Sequence, residues 1–193
     1  MSSNKISEWK KKSEVDYIPL CVNLWLSFNA WYKDEYKKFN NGKEGRDNQC
    51  IKFLKNKCDN GNIIYKTFSK LIQENSHFKF LFGSLHKALL NAELYYNSYC
   101  GGRYSISFEN VSIESNSKEK PSNLVKTKRS RNKLLLCDNI FFTDNITLIY
   151  KAYIEIMYKI RCMLIHGDLE MKDNQKDVIK YLYLIQYELM TDI

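Results

Sequence analysis

The sequence predicts an all-α fold, a helical bundle with one insertion of β-forming residues at about 100–142. Three observations lead to this class. Hydrophobic residues make up 44% of the 193 residues and aromatic residues 14%, which is enough for a core. Only two prolines and seven glycines occur, too few for a turn-dense sandwich or barrel. Apolar residues recur mostly at helical spacing. We expect a single domain over 1–193, because this length suits one core.

The first part of the chain is predicted to form four helices. The first extends over about 16–39 and has a proline in its first turn, where proline is tolerated. Two short helices, at about 49–58 and 62–75, follow and are separated by an Asn-Gly turn. A longer helix is expected over about 76–99, before a Gly-Gly pair. The apolar stripe of the first helix is expected to contain Leu20, Leu24, Ser27, Phe28 and Trp31.

The second part begins with a change of period. Residues 103–142 include alternating apolar and polar stretches, which predict a hairpin or a long loop. Helical spacing returns at Asp144, a suitable N-cap, and is expected to end at Gly167, a suitable C-terminal cap. A last helix is expected over about 174–190. Together with the first four, these helices complete the predicted bundle.

The charge of the chain favours anionic partners. The formal net charge is +8 and the pI is near 9.0, which suits phosphates or an anionic surface. Within the insertion, the polar and basic stretch 116–133 is predicted to be mobile. It is either a solvated surface loop or a loop that contacts a nucleic-acid backbone. In the second case the RNA-binding residues would be Lys126, Lys128, Arg129 and Arg131.

Several classes of protein are not expected. The six cysteines form no C-x-x-C pair and lie partly in apolar periodic stretches, so we expect reduced thiols and no metal site. The first residues lack the apolar region of a signal peptide, and the longest apolar run is too short to span a membrane. A cytoplasmic location without membrane association follows. No nucleotide-binding or serine-nucleophile motif occurs, and we expect no cofactor.

The candidate reactive residues are Arg161 and His166, near the end of the long helix before Gly167. A neutral imidazole can take the proton of a ribose 2′-OH, and an imidazolium can protonate a leaving oxygen. A guanidinium matches a phosphate and the extra charge of the transition state. The pair therefore suits RNA cleavage without metal. The alternative is that both residues only cap the negative end of the helix dipole.

Helix geometry sets a condition on this pair. Five residues along a regular helix correspond to about 500°, so the two side chains would point about 140° apart. Either the helix unwinds at 165–167, or a symmetric dimer brings the pair of one chain against that of its partner. Asn29 and Tyr32 are hydrogen-bonding residues on the mostly apolar first helix. Either they make ordinary buried hydrogen bonds, or they support the site formed by Arg161 and His166.

The motif RCMLIHG, together with the W-x-x-F-N-x-x-Y pattern of the first helix, resembles the HEPN superfamily. The signature of that family is an arginine, four to six residues, and a histidine. The resemblance covers the helical regions, about 17–99 and 144–190. It implies a helical domain, usually a homodimer whose motifs meet at the interface. For many members it also implies metal-independent endoribonuclease activity on single-stranded RNA, often as a toxin or antiviral effector.

By this resemblance Arg161 and His166 are the catalytic pair and Cys162 a supporting residue. Active members often carry a polar residue at the position of Cys162. Members paired with a nucleotidyltransferase antitoxin carry a tyrosine at the position of Asp168, which argues against that antitoxin, or at least against tyrosine modification at this site. The resemblance implies a cognate antitoxin or a regulatory protein as a partner. Two alternatives stay open. The domain is a non-catalytic HEPN-like module that binds RNA or protein, or it is a purely protein-binding helical adaptor.

Overall fold

Helices and short strands make up most of the described chain. The computed structural model describes residues 15–97, 103–111, 123–170, 172–191 and 193. The helices in these ranges are α1 (Tyr17–Phe39), α2 (Asp47–Asn56), α3 (Ile63–Glu74), α4 (Ser76–Ala92), α5 (Ile146–His166) and α6 (Asp173–Leu189). The strands are β1 (Tyr95–Asn97), β2 (Arg103–Ser105), β3 (Val125–Lys126), β4 (Lys133–Cys137) and β5 (Ile140–Thr143). The predicted helical class is confirmed, with a β component in the insertion.

Short polar side chains begin four of these helices. The side chains of Asp16, Asn62, Asn75 and Asn145 each accept a hydrogen bond from a backbone N–H in the first turn of the helix that follows. The prediction that Asp144 caps α5 was therefore wrong by one residue. Asn145 takes this role through a 3.1 Å bond from the N–H of Leu148.

The helix predicted over 76–99 is shorter than expected. α4 ends at Ala92, and Glu93 adopts a left-handed conformation with φ of 48°. The chain then turns into β1, where the N–H of Ile106 donates to the carbonyl of Leu94 at 2.8 Å. Both of these residues are buried in the core. Pairing with a strand that comes later in the chain therefore overrides local helix propensity.

The insertion contains two small antiparallel sheets. One pairs β1 with β2, and the other has the order β3-β5-β4. The predicted β character of 100–142 is thus confirmed, but the β region begins earlier, at Tyr95, and is more than one hairpin. β4 packs closely on α4, because a Cβ at Gly83 would lie 2.3 Å from the Sγ of Cys137. Part of the predicted mobile stretch, residues 116–122, lies outside the described residues, as do residues 1–14.

The core lies between the helices and extends under the sheets. α4 and α1 pack against α6, while α2 and α3 pack against α5. At the centre is a cluster of buried aromatic rings from α3, α4, α5 and the insertion: Phe68, Phe78, Phe82, Phe108, Phe142, Tyr150 and Tyr153. None of the described helices combines the length and apolar character needed to span a membrane.

The apolar stripe of α1 differs from the prediction. Leu20 is exposed, and Leu24 and Trp31 are only half-buried. The buried residues lie one position further along the helix, except at the shared Phe28: they are Cys21, Trp25, Phe28 and Tyr32. The observed buried face directs Trp25 and Tyr32 towards α5, where they lie beside Arg161.

Candidate active site

Trp25 and Tyr32 of α1 lie beside Arg161, and Asn29 shares their face of the helix. Trp25, Asn29 and Tyr32 are spaced by four and three residues, which places them on one helix face. The guanidinium carbon of Arg161, on α5, lies 5.4 Å from the centre of the Trp25 ring, within the range of a cation–π contact. The Arg161 side chain is 20% exposed, so the group is reachable from solvent.

Asp47, the first residue of α2, supplies the nearest negative charge. Its Oδ2 lies 3.4 Å from Nη2 of Arg161, and its Oδ1 lies 3.1 Å from Nζ of Lys33. A strong charge-assisted hydrogen bond between nitrogen and oxygen is about 2.7–2.9 Å long. The carboxylate is therefore shared between two cations, and its contact with Arg161 is long.

Unpartnered polar atoms gather around this arginine. The described residues contain nine buried side-chain nitrogen or oxygen atoms without a hydrogen-bond partner, and four of them belong to this region. These four atoms are Trp25 Nε1, Asn29 Oδ1, Tyr32 OH and Arg161 Nε. Buried polar groups are nearly always satisfied in folded proteins. Each of these four atoms is nearly inaccessible to solvent, so the concentration marks a polar interior beside the half-buried guanidinium.

Tyr32 is fully buried, and burial is the main cause that raises the pKa of its hydroxyl well above the usual value. The charge of Asp47 raises it further, while Arg161 opposes the shift. The hydroxyl therefore stays protonated and keeps a proton to donate. The supporting role of Tyr32 and Asn29 is compatible with their position on this helix face.

Cys162 follows Arg161 on α5 and is half-buried. Its Sγ lies 4.0 Å from Nη1 of Arg161, which is a weak contact. Tyr158 is its other neighbour: burial, followed by the charge of Cys162 and a hydrogen bond with it, raises the pKa of Tyr158 to about 12. Cys162 thus contacts Nη1 of Arg161, whereas Asp47 contacts Nη2.

His166 is the last residue of α5 and is exposed. Gly167 caps the helix in a left-handed conformation, with φ of 74°, and donates its N–H to the carbonyl of Met163. Because α5 stays regular to His166, the first of the two alternatives, unwinding at 165–167, does not occur. Within one chain, Arg161 and His166 therefore point about 140° apart.

An apolar groove between α1, α5 and α6 borders Arg161. It is lined by Cys21, Val22, Trp25, Leu26, Met157, Ile160, Arg161, Leu164, Ile165, Ile179, Leu182 and Gln186. Two of these side chains are largely open to solvent, Leu26 at 56% and Ile165 at 50%. His166 does not line this groove, so one chain offers Arg161 and His166 no common cleft here.

The predicted RNA-binding residues lie on the β3-β5-β4 sheet. Lys126 belongs to β3 and is half-buried, whereas Lys128, Arg129 and Arg131 are exposed in the connection between β3 and β4. This connection is ordered by a bond from the ammonium of Lys133 to the carbonyl of Lys128. The sheet packs on α4, whereas Arg161 faces α1 and α2. The four predicted RNA-binding residues are not among the neighbours that the described part gives Arg161.

Sequence reasoning did not identify Asp47 or Trp25 as members of the site. Trp25 carried a signal, because it stands one turn before Asn29 on the same helix face. Asp47 carried none, since it comes from a different helix and reads as an ordinary first-turn acid. Within the described residues, no group of three or more histidine, cysteine, aspartate or glutamate side chains could hold a metal ion.

The fold and the site define a mostly helical domain with two small antiparallel sheets and a polar site around a half-buried arginine. Comparisons with protein-family models, with curated proteins and with solved structures found no match.

Proposed function

We propose that this protein is a metal-independent endoribonuclease that cleaves single-stranded RNA with Arg161 and His166, as the HEPN resemblance implies. The observation that carries the proposal is the Arg161 guanidinium, whose side chain is 20% exposed and whose contact with Asp47 is long. A phosphate there would receive hydrogen bonds from a guanidinium that holds its present carboxylate only at 3.4 Å. A cellular role as a toxin or antiviral effector, controlled by an antitoxin or regulatory protein, belongs to the same proposal.

The chemistry is a transesterification within the RNA. The ribose 2′-oxygen attacks the adjacent phosphorus, the bond from phosphorus to the 5′-oxygen breaks, and a 2′,3′-cyclic phosphate and a 5′-hydroxyl result. The 2′-hydroxyl proton goes to a base, and a proton is delivered to the leaving oxygen. His166, exposed at the helix end, serves one of these transfers, and a water molecule serves the other. Arg161 stabilises the additional negative charge on the phosphate oxygens.

The angle between the two side chains requires a second chain. We propose a symmetric homodimer in which Arg161 of one chain and His166 of its partner act on one phosphate. The apolar groove beside Arg161 supports this arrangement, because Leu26 and Ile165 expose apolar surface at its edge. In a two-fold interface each chain presents the same patch, so two equivalent sites form.

The test is cleavage of a labelled single-stranded RNA in EDTA. Wild type is expected to cut and leave cyclic phosphate ends, and His166→Ala and Arg161→Ala are each expected to lose at least about 100-fold in rate. His77→Ala is the matched control, since His77 is also an exposed histidine at a helix end. A substrate with 2′-deoxyribose at the cut site is expected to stay intact. Equal cleavage by wild type and His166→Ala would refute the proposal.

A second candidate is a non-catalytic module that binds RNA or protein. It is favoured by Asp47, because a carboxylate beside Arg161 partly neutralises the guanidinium. In that case RNA affinity is expected to be unchanged by His166→Ala and to fall with salt. The affinity is also expected to fall with charge reversal at the exposed Lys128, Arg129 and Arg131. The same RNA, measured by binding instead of cleavage, separates the two candidates.

A further inference from the structure

The carboxylate of Asp47 lies between two cations that come from different helices. Its Oδ2 is 3.4 Å from Nη2 of Arg161 on α5, and its Oδ1 is 3.1 Å from Nζ of Lys33 on α1. The side chains of Arg161, Asp47 and Lys33 are 20%, 26% and 48% exposed, so solvent reaches all three. An anion from outside the protein can therefore compete with the carboxylate for either cation.

The guanidinium of Arg161 is held by contacts that leave its donors largely unused. It lies over the ring of Trp25 at 5.4 Å, and stacking of this kind leaves the N–H groups at the edge of the guanidinium available. In the described part of the chain, its terminal nitrogens contact Sγ of Cys162 at 4.0 Å and Oδ2 of Asp47 at 3.4 Å. Neither contact is as short as a charge-assisted hydrogen bond to oxygen, which is about 2.7–2.9 Å long. Arg161 therefore has a carboxylate nearby but no strong bond to it.

Asp47 has two other sources of positive charge if it leaves Arg161. One is Lys33, whose ammonium is the nearer of its two cationic partners. The other is the amino end of α2, because Asp47 is the first residue of that helix. The amino end of a helix carries about half a positive charge. The carboxylate thus stays compensated without the guanidinium, so its release is easier than the separation of an isolated ion pair.

A phosphate is a better partner for the guanidinium than a carboxylate held at 3.4 Å. Two phosphate oxygens match the two N–H directions of a guanidinium fork, and such bidentate contacts are short. RNA also releases condensed counterions when a protein cation neutralises one of its phosphates, which favours the exchange further. Because two anions beside one guanidinium repel each other, the carboxylate then pairs with Lys33 alone.

We propose that Asp47 is an internal anion that occupies the phosphate site of Arg161 in the free protein, and that Lys33 takes over this carboxylate when RNA binds. Lys33 is thus a positioning residue, because it acts on RNA through Asp47 and does not contact the substrate. The inference rests on the proposed binding of an RNA phosphate at Arg161, but it does not require cleavage. Asp47 therefore opposes RNA binding, and Lys33 assists binding only while Asp47 is charged.

A second pair of charges in the same two segments serves as a matched control. Lys37 stands one turn after Lys33 on α1, and its Nζ lies 3.6 Å from Oε1 of Glu44, three residues before Asp47. Lys37 is exposed to nearly the same extent as Lys33. In the part of the chain that the structure describes, Arg161 forms its ion pair with Asp47 and not with Glu44. Changes at Lys37 and Glu44 therefore remove similar charges without unmasking the guanidinium.

The experiment measures binding of a fluorescent single-stranded RNA oligonucleotide whose riboses are all 2′-O-methylated, so that it cannot be cleaved. Asp47→Asn is expected to bind it at least about fivefold more tightly than wild type, because the competing charge is gone. Glu44→Gln should change the affinity by less than about twofold, because solvent and salt screen an exposed charge. In an Arg161→Gln background, Asp47→Asn should give no larger gain than Glu44→Gln. Asp47→Ser, a second neutral substitution, should act as Asp47→Asn does.

The role of Lys33 is tested in two backgrounds. In the wild-type background, Lys33→Gln is expected to weaken binding at least about threefold, because the carboxylate then stays on Arg161. In the Asp47→Asn background, the same change should weaken binding by less than about twofold, as should Lys37→Gln in either background. A structural role of Lys33 would not depend on the charge of Asp47 in this way.

The proposal is overturned if Asp47→Asn binds the oligonucleotide no more tightly than wild type, if neither protein binds it, or if the gain persists without Arg161. It is also overturned if Lys33→Gln weakens binding equally in both backgrounds, since Lys33 would then contact RNA directly. Cleavage of unmodified RNA in EDTA is measured separately. If cleavage depends on His166 but Asp47 has no effect on binding, this inference alone fails. Equal cleavage by wild type and His166→Ala would instead remove only the proposed ribonuclease.

Discussion

Gly83 and Cys137 illustrate how a single atom sets the contact between α4 and β4. A Cβ at position 83 would meet the Sγ of Cys137 at 2.3 Å, while the Cβ of Cys137 and the Cδ1 of Ile140 would both lie 3.7 Å away. The conflict therefore involves one sulfur atom. Cys137 Sγ can occupy its present position only if residue 83 is glycine.

We expect Gly83→Ala to lower the free energy of unfolding by about 1–3 kcal/mol, because the helix and the strand must separate or the thiol must turn away. Urea unfolding measures this change. When Cys137 is already alanine, the clash is absent. Adding Gly83→Ala to Cys137→Ala should therefore lower the free energy of unfolding much less than it does in the wild-type background. If the loss is the same in both backgrounds, the contact with the sulfur is not its cause.

His86 makes stability depend on pH. The side chain is buried beside the rings of Phe108 and Phe142. Burial lowers its pKa below the usual 6.5, and the charge of Glu109 opposes this shift only in part. As the pH falls, His86 therefore becomes protonated at a higher pH in the unfolded chain than in the folded chain. The stabilising contribution is complete above pH 6.5 and is lost as the pH falls through the lower, folded pKa.

His86→Phe should flatten this dependence. Between pH 7.5 and pH 5 the wild-type free energy of unfolding should fall, with His86 contributing at most about 1.4 kcal/mol per pH unit. The slope of His86→Phe, measured by thermal or urea unfolding across the same range, should be smaller. His77→Ala, which changes an exposed histidine, is the control and should keep the wild-type slope. Identical slopes in wild type and His86→Phe would contradict this interpretation.

At the scale of elements, an ion pair joins α2 to α5. Nζ of Lys55 lies 2.6 Å from Oε2 of Glu155, and Nζ of Lys159 lies 3.4 Å from Oε1 of the same carboxylate. The side chains of Lys55 and Glu155 are only 5% and 15% exposed. Removing one partner of a buried pair leaves a charge in a poorly solvated position.

We expect Glu155→Gln to lower the free energy of unfolding by about 3 kcal/mol. The control is Asp138→Asn, which breaks the exposed pair between Lys87 and Asp138 and should cost less than about 1 kcal/mol. Urea unfolding at one pH compares the two variants. Equal losses would mean that burial of the α2–α5 pair has no energetic consequence.

Most helices could be predicted from the sequence, and the two larger errors, in the apolar stripe of α1 and the end of α4, both arise where the apolar pattern is ambiguous. The stripe of α1 was predicted one position too early because apolar residues in the first half of this helix, such as Leu20 and Leu26, also lie outside its buried face. Periodicity therefore favours neighbouring registers about equally. α4 was extended to residue 99 because residues 94–97 fit either period. Residues 95–97 form a strand because they pair with 103–105. A partner elsewhere in the chain cannot be recognised from the local sequence.

The candidate site could be predicted only in part for the same reason. Arg161, Asn29 and Tyr32 were found because each lies on a helix whose pattern the sequence reveals. Asp47 was not, since its approach to Arg161 depends on how α2 packs on α5. The exposure of His166 and the regularity of α5 up to that residue likewise follow from the packing of whole helices.

At the scale of the whole molecule, the central proposal is that one catalytic centre takes Arg161 from one chain and His166 from another. The regular α5 separates the two side chains within a chain, and the apolar groove offers a surface for association. Two subunits with different defects can then complement each other. Arg161→Ala still supplies His166, and His166→Ala still supplies Arg161.

The most direct measurement is RNA cleavage in EDTA by Arg161→Ala and His166→Ala, alone and after mixing. Each variant alone should be inactive. If subunits exchange freely, about half of the dimers are mixed and each has one intact centre, so the mixture should regain about a quarter of wild-type activity. Adding Leu26→Lys to both variants should abolish the gain, because it charges the proposed interface. A mixture that stays inactive while wild type cleaves RNA would contradict the shared centre.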